Sequence, residues 1–80
     1  MYYVYILKKY GGSEIYIGYT SDLKRRFKEH NAKGRSWELL YYEAYKVRKD
    51  ARMREERLKY YGQTLRQLKQ RIKSSLIIAK

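Results

Sequence analysis

Two short alternating segments near the start of the chain, separated by Gly11-Gly12, constrain the fold more than any other feature. Residues 1–9 and 15–19 are rich in β-formers and alternate with the period of a strand, and the glycine pair is typical of a hairpin connection. Successive side chains of a strand point to opposite faces. Parity therefore assigns phenols to one face and aliphatic side chains to the other: Tyr3, Tyr5 and Tyr16 against Val4, Ile6, Ile15 and Ile17.

A helix, a third strand and two more helices follow the hairpin. Thr20 or Ser21 is expected to cap the first helix, which ends near Asn31, and residues 37–45 form an apolar and aromatic strand. The second helix runs from Val47 or Arg48 to Tyr61, and a capping box of Thr64 with Gln67 opens the third. The residues expected to face inward are Leu23, Phe27 and His30, then Val47, Ala51, Leu58 and Tyr61, then Leu65, Leu68, Ile72 and Leu76.

This order of elements, ββαβαα, predicts one α+β domain over residues 1–80. Its sheet is small, three-stranded and mostly antiparallel, with helices on its flanks.

The charge of the chain points to a polyanionic partner. Twenty Lys and Arg residues against eight Asp and Glu residues leave a net charge of +12 in 80 residues. Such an excess attracts nucleic acid first and an acidic membrane surface second. No segment has the ~20 apolar residues that a membrane-spanning helix needs, and the N-terminus does not resemble a signal peptide. The absence of cysteine excludes disulfides and thiolate metal sites, so we expect a cytoplasmic, nucleoid-associated protein.

Four positions carry possible chemistry. Arg26 and His30 lie four residues apart, on one helix face at the edge of the apolar stripe, where they either line a cleft or serve packing. Glu55 flanks the inward stripe of the second helix, and such a carboxylate is costly unless it is paired or binds a metal. An ion pair with Arg54 or Arg26 is the alternative to a metal ligand. Gly18 either ends a strand or marks a close approach by a ligand.

Together these residues resemble the GIY-YIG nuclease family. Tyr3-Val4-Tyr5 stands at the first tripeptide of the family name, and Tyr16-Ile17-Gly18 matches the second letter for letter. The segment 16–30 is similar to the strand-to-helix region of the family, with Arg26 as its arginine and His30 at its His/Tyr position. The segment 51–59 is similar to the later helix that carries the metal-binding glutamate, with Glu55 in that place.

The resemblance implies a metal-dependent endonuclease that hydrolyses phosphodiester bonds, and the expected substrate is DNA ahead of RNA. The excess of Lys and Arg, without a separate sequence-reading module, predicts low sequence specificity. The implied catalytic residues are Tyr5, Tyr16, Arg26, His30 and Glu55, and Glu55 is the implied ligand of one Mg²⁺ or Mn²⁺ ion. The positions expected to contact nucleic acid are Gly18, Arg25, Lys33 and Arg35. Either tyrosine is a candidate general base, and a nearby arginine and metal are expected to favour its phenolate. The chain is expected to be a monomer or a weak homodimer.

Two alternatives to the nuclease remain open at this stage. A non-catalytic nucleic-acid-binding module on the same scaffold would explain the charge, and the apolar segment 76–79 would suit a docking surface of an interaction protein. The stretch between His30 and Trp37 is also shorter than in many small relatives, which bears on substrate grip rather than on the catalytic residues.

Overall fold

The structure is a computed structural model that describes residues 1–34 and 36–79. Its three antiparallel strands form one sheet in the order β2-β1-β3. The strands are β1 (Tyr2–Lys9), β2 (Ile15–Thr20) and β3 (Trp37–Tyr45), and the helices are α1 (Leu23–His30), α2 (Arg48–Tyr60), α3 (Gly62–Arg71) and α4 (Lys73–Ile78). A short 3₁₀ turn, Ala32–Gly34, lies between α1 and β3. The predicted α+β fold is confirmed. None of the described helices combines the length and apolar character that crossing a membrane requires.

The β1–β2 connection forms at the predicted glycine pair. The Lys9 amide donates to the Glu14 carbonyl at 2.9 Å, and the Gly12 amide donates to the Lys9 carbonyl at 3.0 Å. Gly11 has a φ of 78°, a conformation that glycine adopts without the clash a β-carbon would cause. This turn sets the register in which Tyr5 lies opposite Gly18 and Ile6 lies opposite Ile17.

The hydrophobic core lies on the aliphatic face of the sheet, as parity predicts. Val4, Ile6 and Ile17 of the sheet pack against the helical residues Ala51, Leu58 and Leu68. All six are buried, and burial of apolar area at about 25 cal/mol per Å² is the main stabilising contribution in a domain of this size. Helices α2 and α3 therefore cover one face of the sheet, and the phenolic face is left to α1.

An irregularity in β3 changes which of its residues reach the phenolic face. Ile6 pairs with Tyr41 and Leu7 pairs with Leu39, so Leu40 is an extra residue between two ladder positions. Such a bulge shifts the alternation of the strand by one. Trp37 and Leu39 consequently lie on the same face as Tyr42, although simple alternation along β3 would separate them.

A partly buried ion pair ties α2 to the sheet. The Glu43 carboxylate accepts hydrogen bonds from Arg54 Nε at 2.9 Å and from Arg54 Nη2 at 3.0 Å, a bidentate arrangement. The hydroxyls of Tyr41 and Tyr45 also donate to it, at 2.6 and 2.5 Å. Burial acts to raise the pKa of Glu43, but these hydrogen bonds, that from Arg54 above all, lower it overall. The cluster fixes the residue that precedes Glu55 in the chain.

The structure differs from the prediction at one helix cap and at two of the expected inward positions. Asp22, rather than Thr20 or Ser21, caps α1, and its Oδ1 accepts a hydrogen bond from the Arg25 amide at 3.1 Å. The predicted inward residues Val47 and Tyr61 are 52% and 61% exposed, because they flank α2 at its two ends and lie beyond its contact with the sheet.

The predicted third helix is two helices. It begins at Gly62 without a side-chain cap, so the capping box is not used, and it is interrupted at Ile72. Ile72 has a φ of −105° and a ψ of 27°, outside helical geometry. Leu68 is buried as predicted, and Leu65 and Ile72 pack at the edge of the core.

Candidate active site

Tyr5 is the centre of the phenolic face. It occupies the middle strand β1, where both neighbouring strands pair with it, and it is 1% exposed. Its ring lies over Gly18 of β2: a β-carbon added at Gly18 would be 2.6 Å from the Tyr5 hydroxyl oxygen and 2.8 Å from Cζ. The close approach predicted at Gly18 is thus made by a tyrosine of the same chain. Contact between Gly18 and nucleic acid stays a prediction.

We expect Gly18→Ala to disturb the site through this ring. A β-carbon essentially never lies within 3.0 Å of a heavy atom that is remote in the chain, and Tyr5 is buried, so its ring must shift. Overpacking of this kind costs about 1–3 kcal/mol of unfolding free energy. Urea denaturation should show this loss. Gly62→Ala is the matched control, since a β-carbon there meets nothing within 4 Å; equal stability of the two variants would contradict the expectation.

His30 joins the two tyrosines from the last turn of α1. The Tyr5 hydroxyl and His30 Nε2 are 2.9 Å apart, and the hydroxyl donates when the imidazole carries its proton on Nδ1. The His30 ring also lies 4.5 Å from the Tyr16 ring, centroid to centroid, and the Tyr5 and Tyr16 rings stack at 6.2 Å. The structure therefore brings three of the predicted residues, Tyr5, Tyr16 and His30, into one aromatic cluster.

Asn31 holds the end of α1 against the start of β3. Its side-chain oxygen accepts a hydrogen bond from the Trp37 amide at 2.6 Å, and its side-chain nitrogen donates to the Phe27 carbonyl at 3.4 Å. This bridge fixes the backbone beside His30. It also brings the Trp37 ring to 6.2 Å from the Tyr16 ring.

Arg26 lies on α1 next to this cluster and reaches both tyrosines electrostatically. Hydrogen bonding to the Tyr5 hydroxyl, followed by that to the Glu29 carboxylate, raises the pKa of Arg26. Its Nη1 donates to Glu29 Oε1 at 3.1 Å, and its side chain is 44% exposed. An exposed ion pair of this kind contributes little and is readily exchanged for another anion. The guanidinium is thus charged, accessible to solvent and close to Tyr5 and Tyr16.

The acidity of Tyr5 differs from the expectation. Burial raises the pKa of Tyr5 above its ordinary value, and hydrogen bonding to Arg26 only partly opposes that rise. Arg26 thus acts on Tyr5 in the expected direction but is outweighed by burial, and the shift toward the phenolate with a metal in place stays a prediction. Tyr5 is a neutral phenol at neutral pH, suited to donating and accepting hydrogen bonds.

Glu55 lies on α2, the helix that packs against the other face of the sheet. Its side chain is 17% exposed, and its charge is near enough to make the smallest of the contributions that raise the pKa of Tyr5. Within the described residues its ion-pair partner is Lys59, with Nζ 3.9 Å from Oε2. The partners considered from the sequence were Arg54 and Arg26. Both bind other carboxylates instead, Glu43 and Glu29 respectively.

The donor set at Glu55 fits a hydrated divalent cation. Among residues 1–34 and 36–79, no three His, Asp or Glu side chains lie together as a ready-made set of ligands. Mg²⁺ commonly binds proteins through one or two carboxylates and keeps several waters. Glu55 offers one such carboxylate, mostly buried and paired only at 3.9 Å with Lys59.

The basic positions expected to contact nucleic acid lie at and beyond α1. Arg25 is exposed in the first turn of the helix, one residue before Arg26. Lys33 falls in the 3₁₀ turn between Ala32 and Gly34. Arg35 lies outside the described residues. Their contacts with nucleic acid stay predictions.

Two features near the site were missed in the sequence. Trp37 joins the aromatic cluster only because of the bulge at Leu40, and the local sequence of β3 does not predict that bulge. Glu43 had a usable signal: Tyr41, Glu43 and Tyr45 alternate with period two, which places a carboxylate between two phenols on one strand face.

Comparison with known proteins gives a family and two relatives. A family model described as the GIY-YIG catalytic domain matches residues 1–59. The chain is 35% identical over 74 residues to a UPF0213 protein from Haloquadratum walsbyi, covering 82% of each. It is 38% identical over 66 residues to a UPF0213 protein from Bacillus pumilus, covering 72% of this chain and 66% of the relative. No solved structure gives a significant match.

Proposed function

The chain belongs to the GIY-YIG nuclease family, and from this premise we propose that it is a metal-dependent DNA endonuclease of low sequence specificity. The observation that carries the proposal is the hydrogen bond of the buried Tyr5 hydroxyl with His30, with Arg26 and Glu55 near enough to act on the pKa of Tyr5. These groups come from a strand and two separate helices. A carboxylate, a guanidinium and phenols in one place suit the hydrolysis of a phosphodiester.

Arg26 is the group we assign to the scissile phosphate. Its planar guanidinium presents donors that match two phosphate oxygens at once and keeps its charge at every physiological pH. The phosphate would replace Glu29, whose carboxylate binds the same guanidinium at 3.1 Å in the structure. Donors held in place while charge develops on the phosphate lower the barrier of the chemical step.

The two tyrosines receive different roles because their exposure differs. Tyr5 is 1% exposed and hydrogen-bonded to His30, so we assign it to holding His30 and Arg26 in position. Tyr16 is only partly buried, and its ring lies against the His30 ring at an interplanar angle of 59°. We therefore propose that the Tyr16 hydroxyl orients the attacking water and passes its own proton to His30 Nε2 as it takes the proton of the water. The protonated Nε2 then donates to the Tyr5 oxygen, which turns from donor to acceptor.

Glu55 is the residue that would hold the divalent ion, Mg²⁺ or Mn²⁺. Such an ion supplies neutralisation of charge on the phosphate and on the leaving oxygen. The ammonium of Lys59, 3.9 Å from the carboxylate, is 37% exposed and can turn to solvent when a cation binds. Glu55 itself stays in place because the neighbouring Arg54 is fixed to Glu43.

Binding to DNA rests on the charge of the chain. Twelve net positive charges favour contacts with phosphates whatever the base sequence, and such binding weakens steeply with salt. A single site of this kind cuts one strand, so a monomer would nick. We place the protein in the cytoplasm, at the nucleoid, as the location of that substrate.

We expect cleavage of supercoiled plasmid and of single-stranded DNA in Mg²⁺ or Mn²⁺, and none after chelation, because the phosphate charge is then not neutralised. Gel analysis of nicked and linear products is the measurement, with restored cleavage on re-addition of the metal as the control. Salt-sensitive binding without turnover in either metal would instead support the non-catalytic nucleic-acid-binding module.

A further inference from the structure

A cleft of about 500 Å³ lies beside the candidate active site, between α1 and the sheet. Its sheet wall is formed by Tyr3, Leu39 and Tyr42, and its helical wall includes Leu23 and Phe27. The volume is within the roughly 300–1,000 Å³ range of small-molecule sites. The proposed cleavage chemistry uses none of these residues.

The cleft is continuous with the groups around Tyr5. Tyr42 is directly opposite Tyr5 in the β1–β3 register, and Tyr3 is two residues from Tyr5 on the same face of β1. On the helical side, Phe27 follows Arg26 in the chain. Arg26 and Phe27 share one turn of α1, so the nucleotide next to a phosphate at Arg26 would be within reach of the cleft.

The walls of the cleft suit a flat aromatic group. The rings of Tyr3 and Tyr42 meet edge to face at 6.0 Å, and Tyr42 is 51% exposed, so one face of its ring is accessible. Leu39 and Phe27 add apolar surface, and Lys24 and Asp22 add one charge of each sign to the lining. Every nucleobase presents a π-face that stacks on tyrosine.

We propose that this cleft receives the unpaired base of the nucleotide next to the phosphate bound at Arg26, which makes single-stranded DNA the preferred substrate. A base within a duplex is stacked on both faces and cannot enter a cleft between a helix and a sheet unless it leaves the helix. The proposal rests on the proposed function for its substrate. It adds a base-stacking subsite, with Tyr42 as its accessible wall.

The test compares binding to three probes in chelator, where cleavage does not occur: a short oligo-dT strand, an abasic strand of equal length, and the matching duplex. The wild-type chain should bind oligo-dT about tenfold more tightly than the abasic strand, as expected for one stacked base. Tyr42→Ala should remove that difference and leave abasic and duplex binding unchanged, and Tyr42→Phe should retain it. Circular dichroism checks the fold.

Tyr60→Ala is the matched control, since Tyr60 is 75% exposed at the end of α2, the helix that covers the opposite face. Unchanged oligo-dT binding by Tyr42→Ala, or an equal loss on all three probes, would overturn the proposal. Binding is measured in chelator, so it does not depend on cleavage. If the three probes bind as expected but the chain does not cleave DNA in metal, the nuclease proposal is refuted and the subsite proposal is not. Cleavage without the pattern would refute the subsite alone.

Discussion

Replacing Arg26 with alanine is expected to slow DNA cleavage by about 10²–10³-fold, the typical effect of removing one donor that stabilises transition-state charge. The fold should survive, because the side chain is 44% exposed and its ion pair with Glu29 lies at the surface. Tyr5 keeps its hydrogen bond to His30 in the variant. The measurement is the single-turnover cleavage rate in Mg²⁺ at saturating enzyme.

Two further variants separate the chemistry of Arg26 from its charge. Arg26→Lys keeps the charge and loses the planar fork, so it should recover only part of the rate. Lys28→Ala removes one positive charge from an exposed position of the same helix and should cleave at close to the wild-type rate. Equal rates for Arg26→Ala and Lys28→Ala would refute the role of Arg26.

Replacing Glu55 with glutamine is expected to lower metal-dependent cleavage by about 100-fold or more, since a bound cation contributes several kcal/mol of charge stabilisation. Glutamine keeps the shape of a side chain that is 17% exposed and leaves Lys59 able to reach solvent. Stability should therefore change little. Calorimetric titration with Mn²⁺ should show weaker binding alongside the slower rate.

Glu56→Gln provides the control for this prediction, because Glu56 is the next residue of α2 and is exposed. It makes the same chemical change one residue away and should leave both the rate and Mn²⁺ binding at wild-type values. If Glu55→Gln bound Mn²⁺ as well as Glu56→Gln does, Glu55 would not be the metal ligand.

The local parts of this fold were predictable from the sequence. Alternation in β1 and β2 identified the core face with Val4 and Ile6, and the same alternation put Tyr5 on the other side. Helical spacing put Arg26 and His30 on one face of α1, where both reach Tyr5 in the structure. These outcomes depend on neighbours within a few residues, which periodicity captures.

The features that the sequence did not predict depend on residues that are far apart in the chain. The choice of Glu43 as the partner of Arg54 joins β3 to α2, and nothing near Glu55 in the chain reveals that its neighbour is already engaged. The pKa of Tyr5 rises because several elements bury one hydroxyl together. Val47 had the right spacing for the core, but α2 begins beyond it.

Because of the extra residue at Leu40, the face on which each side chain of β3 lies depends on the number of residues in the strand as well as on their types. The bulge puts the Trp37 side chain on the same face as Tyr16. If the number of residues between Trp37 and Tyr42 changed by one, Trp37 would lie on the opposite face of the sheet. An alignment of relatives that places a one-residue gap in this strand therefore compares a residue of the phenolic face with a residue of the core face. Homologues are best compared here by counting positions from Tyr42 rather than by matching aromatic residues.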